Sequence, residues 1–192
     1  HFLSRVTSPK IIMRAMAEVK PYLVIAVPLV IEKIYKSKVK PVLEKEGIKV
    51  LMRLPVLNKV VMNKIRTELV NAFGGEFYEV IIGGAAFNKD VEAFFKKIKF
   101  PFTVGYGMTE CAPIITYDDW KEEKLHSCGK AAPHMEVRID SDNPSQVPGE
   151  IQVKGANVFL GYFKNEEATR EVFTEDGWFR TGDMGILDED GC

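Results

Sequence analysis

Phe77-Tyr78-Glu79-Val80-Ile81-Ile82-Gly83-Gly84-Ala85-Ala86-Phe87-Asn88 is the stretch on which the fold turns. Phe77 to Ile82 reads as a strand that runs without interruption into a pair of glycines, so the strand must end in a loop there. Asn88 then has the side chain of a helix N-cap, and Val91, Phe94, Phe95 and Ile98 recur at helical spacing behind it. Phe102 to Val104 reads as a second strand, opening into another loop at Gly105. Strand, loop, helix, strand, loop is the unit of an open α/β sheet. Ligands bind such sheets beyond the carboxyl ends of the strands, so the Gly83 and Gly105 loops are expected on one edge of one sheet.

The same grammar extends toward the N-terminus. Leu23 to Val27 is a short continuous apolar run, the pattern of a parallel strand covered on both faces, and Pro28 suits the first turn of a following helix. That helix is expected to reach about Lys40 and stop at Pro41. Lys59 to Phe73 sets Val61, Ile65, Leu69 and Ala72 on one helical face, with Gly74-Gly75 as its stop. From about Ile114 onward the texture changes to short β-type pieces, Glu136 to Ile139 and Glu150 to Val153, separated by Asp142-Asn143-Pro144 and Pro148-Gly149. Asn165 is expected to cap a short helix that starts with acidic residues and runs to about Phe173, and Gly177 to Asp183 returns to strand and loop. The fold class expected is α/β: part of a doubly wound α/β subdomain followed by a small antiparallel β subdomain.

Composition narrows the partners. Of 192 residues, 46% are hydrophobic and 28% charged, which is enough apolar material for a real core. A net charge of -1 from 26 basic and 27 acidic residues excludes a general attraction to nucleic acid or anionic lipid. The longest apolar run, Tyr22 to Ile31, contains Pro28 and falls well short of the roughly 20 residues a bilayer needs, so no transmembrane segment is expected. A peripheral membrane contact is left open by Lys33 to Lys40, whose four lysines sit beside apolar positions; a solvated helix face is the simpler account. Cys111, Cys128 and Cys192 form no Cys-x-x-Cys pair and no even disulfide framework, so a cytoplasmic, reducing location is the expectation. His126 and Cys128 alone fall short of a zinc site.

Three loops carry the candidate chemistry. Val104-Gly105-Tyr106-Gly107-Met108-Thr109-Glu110 combines an aromatic ring able to stack on a purine, glycines that admit close backbone approach, and a hydroxyl and carboxylate of the kind Mg²⁺ accepts. Gly177-Trp178-Phe179-Arg180-Thr181-Gly182-Asp183 offers a carboxylate whose two oxygens can accept from both hydroxyls of a ribose. Each has a plain structural counterpart: a strand-end aromatic, a solvated helix start, a turn aspartate. Gly83-Gly84-Ala85 is likewise ordinary turn chemistry unless a flat base edge lies against it. Trp178 is expected in the core and Arg180 as a structural or surface charge. Gly105-Tyr106-Gly107 lacks the third glycine of a dinucleotide fingerprint, and no Gly-x-x-x-x-Gly-Lys-Ser/Thr loop occurs.

These loops, in this order and with Gly149-Glu150-Ile151-Gln152-Val153-Lys154-Gly155 between them, resemble the adenylate-forming (AMP-binding) superfamily of acyl-CoA synthetases, luciferases and peptide-synthetase adenylation domains. Val27 to Tyr35, and Gly83 to Phe87 followed by Asn88 to Glu92, are most similar to long-chain fatty acid-CoA ligases. The resemblance implies residues 1–113 as a partial α/β subdomain of the AMP-binding domain, 114–183 as a β-rich subdomain of distorted-barrel type, and 184–192 as the start of a hinge to a further C-terminal domain. It implies Gly83, Gly84 and Ala85 in an adenine pocket, Tyr106 stacked on the base, Asp183 on the ribose, and Gly105 and Gly107 along the acyl carboxylate and phosphate. Thr109 would bond the phosphate and Glu110 would hold Mg²⁺, the pair forming the catalytic turn.

The activity so implied uses ATP, Mg²⁺ and coenzyme A: a fatty acid is converted to acyl-AMP and pyrophosphate, and the coenzyme A thiol then displaces AMP. Relatives carry a Gly/Ser/Thr-rich phosphate loop before this region and a C-terminal domain with a catalytic lysine after it. The chain, which begins at His1 and ends at Cys192, is therefore expected to be an excerpt that is inactive alone. Phe87 and Val104 either touch the acyl chain or pack. Alternatives are adenylation of an aromatic or amino acid, and a noncatalytic nucleotide-binding or interaction module. Oligomeric state leaves no mark in the sequence.

Overall fold

Pro9–Val19 (α1) leads into Leu23–Ala26 (β1), which pairs in parallel with Glu79–Ile82 (β2), Leu23 opposite Glu79 and Ala26 opposite Ile82. Phe102–Val104 (β3) completes an open three-stranded sheet in the order β1-β2-β3. The computed structural model describes residues 9–192. The chain divides into two units, one ending at Thr103 and the other comprising Val104–Cys192.

In the first unit all four residues of β2 are buried, as a central parallel strand requires. The same expectation for the preceding strand is corrected. In β1 only Val24 is buried, while Ile25 is 71% exposed. The reason is positional: β1 is the edge of the sheet, and among the described residues only its Val24 face is covered.

The helical segments that follow β1 show how proline acts. Pro28–Ile34 (α2) starts with Pro28 in its first turn, where a missing N–H costs nothing. Pro41 does not end this helical stretch as expected. The chain widens to a π-helical turn over Tyr35–Val39, where the Lys40 N–H reaches back to the Tyr35 carbonyl, and continues as Lys40–Leu43 (α3) with Pro41 inside its first turn. The wide turn resets the hydrogen-bond frame just ahead of Pro41, which removes the clash a proline ring makes with the carbonyl four residues back in an α-helix.

Glu46–Leu51 (α4) follows, and then the long helix Pro55–Ala72 (α5). Its buried face is Met62, Ile65 and Leu69, one position rotated from the expected Val61. Gly74 and Gly75 end it as the sequence indicates: Gly75 N–H donates to the Val70 carbonyl and Gly74 N–H to Asn71, both at 3.0 Å, the paired bonds of a Schellman motif. Gly74 is required twice over. Its φ is 99°, and a Cβ there would lie 2.6 Å from the Met16 carbonyl oxygen of α1.

Lys89–Lys97 (α6) is capped by the Asn88 carboxamide oxygen, which accepts from the backbone of Asp90 at 3.0 Å and Val91 at 3.1 Å. The cap places Val91, Phe95 and Ile98 inward. Phe95 becomes the hub of an aromatic cluster, its ring 4.8 Å from Phe100, 5.8 Å from Phe102 and 6.3 Å from Phe87. Phe87 therefore packs in this cluster.

The second unit is antiparallel. Tyr106–Gly107 (β4), Ile114–Tyr117 (β5) and Lys130–Ala131 (β6) form one sheet; Met135–Asp140 (β7), Gly149–Gly155 (β8) and Phe179–Gly185 (β9) form another. Glu166–Glu171 (α7), capped by the Asn165 side chain accepting from Ala168 N–H at 3.1 Å, lies between β8 and β9 in sequence. Its core is Cys111, Ile115, Met135, Val153 and Phe179, with Phe159 and Phe173 packed against it. Both sheets are open, so the barrel is not closed. Strands β4 and β6 have two residues each, too short a ladder to join the sheets.

Trp178, expected in the core, is only partly buried, and the Arg138 guanidinium lies 4.4 Å above its ring. Arg138 also holds Asp176 through two nitrogens at 2.6 and 3.1 Å and Gln152 through Nε at 2.7 Å. The guanidinium keeps the Asp176 carboxyl well below the usual carboxylate range. A depressed folded-state pKa gives stability that is present above the unfolded value of about 3.9 and lost as pH falls through the folded one. The melting temperature should therefore decline as pH drops from about 5 to about 3, and Asp176→Asn should make that decline shallower; equal slopes in thermal scans of the two proteins would refute the link. Among the described residues no helix is long and apolar enough to cross a membrane.

Candidate nucleotide site

The Gly83-Gly84-Ala85 loop belongs to the first unit and follows β2 directly. Gly83 N–H donates to the Ala26 carbonyl at 3.2 Å, extending the parallel ladder by one bond, and Gly84 turns the chain away at φ 84°. Gly84 and Ala85 are exposed, so their backbone groups are open to a flat ligand edge.

The other sequence-derived residues lie in the second unit. Tyr106 and Gly107 pair with β5, and Met108 N–H donates to the Pro113 carbonyl at 2.8 Å. A Cβ on Gly107 would sit 2.0 Å from that same carbonyl oxygen. Gly107 thus has a local packing reason: it lets the loop fold back on its own hairpin. Thr109–Cys111 is a single 3₁₀ turn that ends at Ala112 in the left-handed region with φ 55°. The turn is pinned by the fully buried Cys111 in the core of the unit. Burial first, and then the Glu110 charge, push the Cys111 thiol up to about 11, so it remains a neutral packing group. Thr109 is left exposed and Glu110 partly so.

Asp183 is brought forward by a distortion in β9. Glu150 pairs with Met184 and Gln152 with Arg180, so Thr181, Gly182 and Asp183 have only Ile151 opposite them. The surplus residues arch outward as a bulge. Gly182, at φ 76°, makes the turn, and Glu150 holds it: one carboxylate oxygen accepts from Arg180 Nε at 3.0 Å and the other from Gly182 N–H at 3.2 Å. Thr181 completes the brace, its hydroxyl donating to the Ile151 carbonyl at 2.8 Å and accepting from Asp183 N–H at 3.1 Å.

At the top of this bulge the Tyr106 hydroxyl donates to Asp183 Oδ2 at 2.7 Å. A ring from the first loop and a carboxylate from the last are thus joined across the length of the unit. Burial, and then the bond to Asp183 and its charge, push the Tyr106 phenol well above its ordinary value, with a Thr181 hydrogen bond opposing. The phenol stays protonated and donates to the Asp183 carboxylate. Each carboxylate oxygen has two lone pairs, and the Tyr106 hydroxyl uses one of the four directions among the described residues.

Glu110 makes a separate contact, its Oε1 accepting from the Tyr162 hydroxyl at 3.1 Å. Among the described residues no three His, Cys, Asp or Glu side chains come together to hold a metal ion. Glu110 thus offers a single carboxylate, a donor set that fits Mg²⁺, which keeps several waters and takes its remaining ligands from substrate phosphates. Sequence reading missed Glu150, Thr181 and Tyr162. Glu150 and Thr181 lay within quoted motifs and Tyr162 did not, and nothing local marks any of them as a brace.

The AMP-binding enzyme family matches residues 1–163 of the chain. The long-chain-fatty-acid–CoA ligase FadD15 of Mycobacterium bovis is 31% identical over 206 residues, covering 95% of this chain and 32% of the relative. The 2-succinylbenzoate–CoA ligase of Bacillus cytotoxicus is 40% identical over 142 residues, covering 68% of this chain and 29% of the relative. The o-succinylbenzoate CoA synthetase (MenE) from Bacillus subtilis, solved in complex with the acyl-adenylate intermediate OSB-AMP, superposes with a TM-score of 0.71 at 24% identity, over 96% of this chain and 32% of that one. The chain spans about a third of the length of these relatives.

Proposed function

Because the chain belongs to the AMP-binding enzyme family, we propose that it carries part of the nucleotide site of an ATP-dependent acyl-CoA ligase, the full-length protein activating a long-chain fatty acid. In this reading the chain alone, without the rest of that protein, does not turn over. Residues 1–113 act as the α/β part of the AMP-binding domain, 114–183 as its β-rich part, and 184–192 as the approach to a hinge.

The observation that carries the reading is the Tyr106–Asp183 hydrogen bond at 2.7 Å. It holds together an aromatic ring able to stack on a base and a carboxylate able to accept from a ribose. Gly83, Gly84 and Ala85 line the adenine, and the Gly105 and Gly107 backbone follows the acyl carboxylate and α-phosphate. Thr109 donates a hydroxyl to the phosphate and Glu110 holds the metal.

In the first half-reaction a carboxylate oxygen bonds to the α-phosphorus of ATP and the α–β bridging bond breaks, releasing pyrophosphate. Then the coenzyme A sulfur bonds to the acyl carbon, AMP leaves, and the thiol proton passes to solvent. Mg²⁺, when bound, offsets repulsion between the two anions and the charge gathering on pyrophosphate. The residues of the second unit orient the nucleotide, so that the α-phosphate meets the incoming carboxylate in line.

Similarity to FadD15 over 95% of the chain favours a long-chain acid. Higher identity to 2-succinylbenzoate–CoA ligase over a shorter span favours an aryl acid as the second reading. Acid-dependent exchange of pyrophosphate into ATP by the full-length protein separates them. Exchange that requires a long fatty acid is the expected result. Exchange with 2-succinylbenzoate or an aromatic acid instead would replace the substrate, and a folded protein that exchanges with no acid yet binds AMP would be a nucleotide-binding module.

A further inference from the structure

Glu110 is held from outside its own turn. Asn157 Nδ2 donates to the Cys111 carbonyl at 2.6 Å and to the Ile114 carbonyl at 3.0 Å. Phe159 N–H donates to the Glu110 carbonyl at 2.7 Å, and the Tyr162 hydroxyl donates to the Glu110 carboxylate at 3.1 Å. One short segment therefore grips the backbone of the Thr109–Cys111 turn and then the side chain at its centre.

The segment is itself anchored. The Phe159 ring packs 5.3 Å from Phe179 and 5.8 Å from Phe173 in the core of the unit. The Tyr162 ring stands edge-on to Phe159 at 4.9 Å, and its backbone N–H donates to the Thr169 hydroxyl on α7 at 2.9 Å. Thr169 in turn donates to the Asn165 carbonyl at 2.8 Å. Tyr162 is thus fixed at its ring and at its backbone, although its neighbours Leu160 and Phe163 are 99% and 89% exposed.

A glutamate side chain in solution samples many rotamers, and ordering it at the moment of binding opposes that binding. Here the order exists before any ligand arrives. We propose that Tyr162 is a positioning residue for Glu110, its phenol fixing Oε1 so that Oε2 is left in one orientation as ligand to the divalent cation that accompanies the nucleotide phosphates. The proposal rests on the reading of Glu110 as the metal ligand. A phenol, titrating at about 10, is a donor across the neutral range, and the Tyr162 hydroxyl donates to Glu110 at 3.1 Å.

The test is Mn²⁺ affinity of the full-length protein in the presence of α,β-methylene-ATP, followed by electron paramagnetic resonance, beside AMP affinity without metal. Tyr162→Phe keeps the ring against Phe159 and removes only the hydroxyl. It should weaken Mn²⁺ about tenfold, the loss expected for one hydrogen bond to a charged group, and leave AMP affinity and melting temperature unchanged. Glu110→Gln should weaken Mn²⁺ further. Wild-type Mn²⁺ affinity in Tyr162→Phe together with a loss in Glu110→Gln would overturn the role of Tyr162 and leave the nucleotide site intact. Unchanged affinity in both variants would remove Glu110 as metal ligand and this inference with it. An equal loss of metal-free AMP binding in Tyr162→Phe would make the residue a general support of the unit, against the proposal.

Discussion

Asp183→Ala should lower the AMP affinity of the full-length protein by about a hundredfold or more, with little change in its melting temperature. The carboxylate stands on an outward bulge and is exposed, so almost none of its free energy is spent on packing. Two ribose hydroxyls donating to a charged acceptor are worth about 1.5–3 kcal/mol each, and about 1.4 kcal/mol is a factor of ten in affinity. Tyr106→Phe should cost far less, because the ring that would stack on the base is retained and the hydroxyl at 2.7 Å from Asp183 that is lost is not itself a bond to the ligand. Glu150→Ala offers a third reading. It removes the acceptor that braces Arg180 and Gly182, and should weaken AMP binding by letting the bulge relax while Asp183 itself remains. Calorimetric titration of AMP into the three variants measures all of this. Asp183→Ala binding AMP within threefold of wild type would remove Asp183 from the ribose.

Phe95→Ala should be the most damaging substitution for stability, by about 3–5 kcal/mol. Phe95 is fully buried, and its ring lies 4.8 to 6.4 Å from four other phenylalanines, Phe87, Phe94, Phe100 and Phe102. Truncation deletes a large buried side chain and leaves a cavity that rings held on α6 and β3 cannot collapse to fill. Phe163→Ala is the internal control. That ring is 89% exposed, and its removal should change stability by no more than about 0.5 kcal/mol. Urea denaturation decides the case. Comparable midpoints for the two variants would mean that the aromatic cluster does not hold the first unit together.

Local features of the first unit were legible because each depends on a few adjacent residues. Asn88 caps α6 through its own carboxamide, and Gly74-Gly75 stop α5 through bonds to Val70 and Asn71. Strand β2 reads as a strand because the apolar run to Ile82 ends in a glycine pair, while the burial of all four of its residues, Glu79 included, is seen only in the structure. Pro41 was misjudged for the opposite reason. A proline announces that an α-helical frame must break, but whether the chain stops or widens into a π turn depends on what packs around it. The burial of β1 was misjudged similarly, since an apolar run states what could be covered and only the assembled sheet decides which face is.

By itself the sequence determined most of the element types and the open α/β unit, and it supplied the candidates for a nucleotide site: glycines, an aromatic ring and two carboxylates. These follow from side-chain chemistry and short-range periodicity. The tertiary structure decided which of them are joined and how they are aimed. Tyr106 meets Asp183, and Tyr162 meets Glu110, across separations of 77 and 52 residues. The bulge that lifts Asp183 depends on a register offset between β8 and β9 that no local pattern encodes. Hydrogen-bond partners are selected by where packing delivers them, and that delivery is a property of the whole unit.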